Sequence, residues 1–141
     1  MSQLISIKDP YLYFSLVFFN VTARYIWKRT PVSRLVPLSL EQYIPDNCTA
    51  LHNTVCQVLH DFTDSMDKNI MYIITDGYDS HSNISKHEMN QTILKFKHTD
   101  RWKFILCDTE INRLNIHEIQ SIQYDVNCVD ELISQLSSLN I

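Results

Sequence analysis

The sequence predicts an α/β fold: a doubly wound, mostly parallel sheet with one antiparallel edge strand. Three observations lead there. The runs at 70–75 (IMYIIT) and 102–107 (WKFILC) have little polar alternation, which suits parallel strands covered on both faces. Between them lies a helical pattern opened by Ser85 with Glu88 three residues on, the spacing of a capping box. Each run is followed by an aspartate, Asp76 or Asp108, as expected where buried strands open into polar loops.

The elements follow in order. Residues 11–19 (YLYFSLVFF) are aromatic and β-prone, and Asn20 can turn the chain. Residues 23–29 alternate Ala23, Tyr25 and Trp27 against Arg24, Ile26 and Lys28, which predicts the second strand of a hairpin. Pro31, Pro37 and Pro45 make 30–48 a connection with one helical turn near 39–43. Thr49 can cap a helix to about residue 61, with Leu51, Val55, Val58 and Leu59 at helical spacing. A polar turn at 64–69 leads into the strand at 70–75. A loop at 79–85, a helix to about residue 97 and the strand at 102–107 come next. The tail predicts helices at 114–119 and 129–139 around a strand at 122–126.

Composition narrows the function. The 141 residues suit one domain, 1–141. A net charge of -4 argues against a nucleic-acid binder, which would carry a basic face. The chain has one glycine, too few for a glycine-rich phosphate loop. Cys48, Cys56, Cys107 and Cys128 lack C-x-x-C spacing and read as reduced thiols. The apolar run at 12–19 is far shorter than the ~20 residues of a membrane span, and no signal-peptide pattern precedes it. A cytoplasmic protein without a membrane or nucleic-acid partner is the expectation. The six histidines lack the i, i+4 zinc pair, and no G-x-S-x-G elbow occurs, so no catalytic residue is assigned.

The candidate site gathers at strand ends. Thr49 and Asp76 offer the hard oxygen ligands that Mg²⁺ takes, with Asp79, Ser80 and Asp108 as further loop contacts. The segment IMYIITDGYDSHSNIS resembles the fourth strand and following loop of von Willebrand factor type A (VWA) domains. Thr49 to Leu59 resembles that family's threonine loop and helix. Tyr13 to Phe19 with Asn20 resembles an apolar strand of that family ending in asparagine, Tyr25 to Pro31 its antiparallel edge strand, and 100–104 the entry to its fifth strand. The resemblance implies a Rossmann-like three-layer sandwich with Thr49 and Asp76 at metal positions. It also implies a departure, because residues 1–8 are too short for the family's first strand and D-x-S-x-S loop. The D-x-T-x-S run at 61–65 falls at a helix end and reads as a solvated turn.

These readings predict a non-enzymatic protein-interaction module: a degenerate VWA domain with half a Mg²⁺ site, pairing through a sheet edge as a homodimer or with a strand donated by a protein partner. The alternatives are a Mg²⁺-dependent hydrolase or phosphotransfer enzyme using Asp76 and Asp108, and a structural subunit of a viral or phage assembly.

Overall fold

A computed structural model describes residues 10–42, 47–108 and 120–123. The helices expected at 114–119 and 129–139 lie outside them. The described order is β1 (Tyr13–Phe19), β2 (Ala23–Pro31), short 3-10 turns at Val32–Arg34 and Leu40–Gln42, α1 (Leu51–Asp61), β3 (Asn69–Thr75), α2 (Lys86–Lys97), β4 (Trp102–Asp108) and β5 (Gln120–Gln123). Local prediction therefore located the described elements. The strand expected at 122–126 begins two residues earlier.

The described strands do not form one sheet. β1 and β2 make a two-stranded antiparallel ribbon, while β3, β4 and β5 make a separate parallel sheet in the order β3-β4-β5. The single doubly wound sandwich is thereby corrected, and with it the resemblance to VWA domains, which requires one continuous sheet. The ribbon's own irregularity supplies a physical reason. Its register shifts between Phe14 and Leu16 and again between Leu16 and Val17. Arg29 sits at φ 47°, donating its N–H to the Ser15 hydroxyl at 3.0 Å. Bulges bend a strand and increase its twist, and two-stranded ribbons already twist more than wide sheets. Such a ribbon does not lie flat beside a parallel sheet.

The parallel sheet is regular. β3 and β4 pair without interruption from Asn69 opposite Trp102 to Thr75 opposite Asp108. Period-two alternation sends Ile73, Phe104 and Leu106 to one face, where Leu51, Val55 and Leu59 of α1 and Met89 and Ile93 of α2 cover them. Ile105 and Cys107, on the opposite face, are also fully buried. β4 is thus an apolar strand buried on both sides, as its sequence predicted.

The ribbon is fastened near both ends of α1. The Ala50 N–H donates to Asn20 O at 2.6 Å. At the other end the Asp61 carboxylate accepts from the Tyr25 hydroxyl at 2.8 Å and from Lys28 Nζ at 3.3 Å. The run at 61–65 is therefore more than a solvated turn. The Tyr25 bond, aided by Lys28, holds the Asp61 carboxyl below its ordinary value, while burial and the Asp61 bond push the Tyr25 phenol up. The Lys28 ammonium also lies 4.6 Å from the Tyr25 ring centroid, a cation–π distance.

Leu59 is fully buried at the centre of the core, whereas Ile74 on β3 is 55% exposed. Leu59→Ala is expected to cost about 2–5 kcal/mol in urea unfolding. Ile74→Ala is expected to change stability by less than about 0.5 kcal/mol. Comparable losses at the two positions would contradict this placement of the core.

Candidate functional site

The site is built around the first turn of α1. A helix start leaves backbone N–H groups without intrahelical partners. The N-cap residue here is Ala50, which has no side-chain acceptor. Thr49, expected to be the cap, lies one residue too early. It uses its backbone instead: its carbonyl accepts from Ser80 N at 2.8 Å and His81 N at 3.0 Å, and its N–H donates to Ser80 Oγ at 3.0 Å.

The cap comes from the loop after β3. Asp79 Oδ2 accepts from His52 N at 2.8 Å and from Ser82 Oγ at 2.6 Å, and its Oδ1 accepts from Ser82 N at 2.9 Å. Ser82 Oγ in turn accepts from Asn53 N at 2.9 Å. The second and third amides of α1 are thus satisfied by a loop roughly thirty residues further on. The clamp is reciprocal, since Asn53 Oδ1 accepts from Asn83 N at 3.1 Å and Ile84 N at 3.0 Å. His52 Nδ1 meets Ile84 O at 3.0 Å, a contact that requires the tautomer protonated at Nδ1. Ser85 then opens α2 with the expected capping box, in which Ser85 Oγ accepts from Glu88 N while Glu88 accepts from Ser85 N.

Asp76 lies apart from this clamp. Its Oδ1 accepts from Tyr78 N at 3.1 Å, while Thr75 Oγ1 accepts from Gly77 N at 3.1 Å. Two side chains thus imitate a backbone turn. The turn passes through Gly77 at φ 79°, where a Cβ would be strained, and the chain's single glycine is placed there. The sheet register sets the Asp108 backbone beside Thr75, one residue before Asp76.

The structure brings Thr49, Asp79 and Ser80 together, but through backbone and capping bonds. Both Asp79 oxygens are engaged by N–H and O–H donors. Ser80 Oγ serves Thr49 N and lies 2.8 Å from His81 Nδ1. Among the described residues no group of three His, Cys, Asp or Glu side chains could hold a metal ion. The VWA-type adhesion site is corrected together with the fold it depends on, since the described strands form two separate sheets. The viral-assembly reading falls with the fold assignment behind it. Among the described residues no helix is long and apolar enough to cross a membrane.

Sequence reasoning missed His52, Asn53 and Ser82. A helix start with Ala at the cap position, followed far downstream by a loop dense in Asp, Ser and Asn, is the signal that could have found them.

Compared with known proteins, the chain matches no family model, no curated protein and no solved structure. The clamp itself makes a prediction. Burial raises the Asp79 carboxyl, but bonds from His52 and Ser82 and the His52 charge outweigh it and hold the group below its ordinary value. A depressed folded-state pKa contributes stability above the unfolded value of about 3.9, and that stability is lost as pH falls through the folded value. Asp79→Ala is therefore expected to cost about 1–3 kcal/mol at neutral pH. The gap to the wild type should narrow below about pH 4. Asp76→Ala, which removes an exposed turn bond, should cost less than Asp79→Ala, about 1 kcal/mol at most. Urea unfolding at neutral and acid pH checks both, and a penalty for Asp79→Ala that does not change with pH would contradict the assignment.

Proposed function

We propose that this protein is a non-catalytic protein-recognition domain whose contact surface is the corner formed by Ile74, Asp76 and Tyr78. The observation that carries the reading is an exposed apolar residue at the end of β3, Ile74, followed by another, Tyr78, on a loop held by hydrogen bonds. Ile74 is 55% exposed and Tyr78 is 58% exposed. They flank a turn held by Thr75 and Asp76, and the residue after Tyr78 is the clamped Asp79. A side chain presented from a fixed backbone loses little entropy on binding, and tyrosine is favoured at the centre of protein interfaces.

Charge indicates the kind of partner. Asp76 is exposed beside the apolar pair, so the complementary surface carries an apolar pocket and a basic group. This moves the contact from the sheet edge expected from sequence to the loop beside it. The non-catalytic part is supported by where the polar groups spend their bonds. Ser80, His81, Asp79 and Ser82 are occupied in holding the loop to α1, and they do not converge on an open position.

The test is a selection of displayed peptides on the immobilised protein, repeated on Tyr78→Ala and Ile74→Ser. Selected ligands are expected to bind either variant at least about tenfold more weakly, with thermal stability unchanged. The reading needs no metal, so Mg²⁺ or EDTA should shift neither binding nor Tm. Ligands indifferent to both substitutions would count against the corner.

A further inference from the structure

The far end of the same sheet carries a small, half-open surface pocket of about 200 Å³, lined by Thr63, Lys95, Phe96, Thr99, Arg101 and Trp102. Its aromatic wall is braced. Phe96 meets Trp102 edge-on at 5.4 Å between ring centroids, and Trp102 stacks on Phe104 at 5.9 Å. Arg101 is held in place by a bond from its Nη1 to Ser65 O at 3.2 Å. The Thr63 and Thr99 hydroxyls spend their protons on Leu59 O and Phe96 O, which leaves oxygen lone pairs to accept a bond.

Size and chemistry restrict the occupant. Cofactor and drug-sized ligands fill pockets of ~300–1,000 Å³, so this one suits a single side chain. Aromatic walls favour an aromatic ring, hydroxyl acceptors favour a phenol, and Lys95 with Arg101 favour a carboxylate beside it. A tyrosine next to an acidic residue fits these requirements, and the corner bearing Asp76 and Tyr78 is such a pair. The two sites lie at opposite ends of the parallel strands. Tyr78 follows the last residues of β3 and Trp102 opens β4, so roughly 20 Å of strand separates them. The corner of one chain is therefore out of reach of its own pocket.

We propose that the protein self-associates head to tail, with Tyr78 of one copy entering the Lys95–Arg101–Trp102 pocket of the next and Asp76 meeting the two cations. This rests on the corner being a recognition surface and names its partner as a second copy of the chain. A contact between two different patches leaves both ends of a dimer open, so association continues beyond two copies unless a ring closes.

Sedimentation across a wide concentration range tests it. The wild type is expected to grow in mass with concentration beyond the dimer. Tyr78→Ala and the double variant Lys95→Glu, Arg101→Glu should each associate at least about tenfold more weakly. Mixed together, the two variants should form a 1:1 complex that grows no further, because one keeps only a pocket and the other only a corner. That complementation also shows that both variants are folded. A monomeric wild type at every concentration, or a mixture that forms no complex, overturns the proposal. If the monomer still binds displayed peptides through Tyr78, the corner reading stands and only self-docking is lost. Peptides indifferent to Tyr78 would remove the corner reading itself.

Discussion

The carboxylate of Asp79 takes the place of a cap that α1 lacks, and the arrangement of the candidate site depends on that substitution. The N-cap of α1 is Ala50, which has no side-chain acceptor. Asp79 and Ser82 accept from the amides of His52 and Asn53, and Asn53 returns the bond to Asn83 and Ile84. Ser85 and Glu88 follow directly and start α2. A continuous line of polar contacts thus runs from Thr49 to Glu88. It fixes the end of β3, the start of α1 and the start of α2 relative to one another.

Core and clamp have different tasks. Each fully buried apolar side chain contributes ~1.5–3 kcal/mol, and the cluster around Leu59, Ile93 and Leu106 contains several. A hydrogen bond exchanged with water contributes about 1 kcal/mol net. The core therefore dominates stability. Apolar packing is undirected, however, and would tolerate a loop in several conformations. The clamp bonds are directional, and they set which way the residues between Gly77 and Ile84 face.

What could be read from the sequence followed the range of the interaction. The Ser85–Glu88 capping box is local, three residues apart, and it formed as expected. The apolar runs that became β3 and β4 carry their pattern within six residues. The cap on α1 was misassigned to Thr49 because its real donor-acceptor partners lie near residue 80. The single sheet was misjudged because Arg29 at positive φ and the shifts around Ser15 depend on pairing across the ribbon. Nothing in the alternation at 23–29 marks a bulge. An aspartate after a buried strand serves either a cation or a turn, and the sequence alone did not show the turn bond that Asp76 accepts from the Tyr78 amide.

The acidic strand end and the basic aromatic pocket now read as two halves of one contact surface set apart by the length of the sheet. That account requires the loop between them and α1 to be rigid before any partner arrives. Amide hydrogen exchange at His52 and Asn53 tests this most directly. First-turn amides of a helix ordinarily exchange fast, because nothing inside the helix accepts from them. Here both are expected to be protected to an extent comparable with amides in the middle of α1. Rapid exchange at both, with the middle of the helix still protected, would contradict the clamp and the preorganised corner that depends on it.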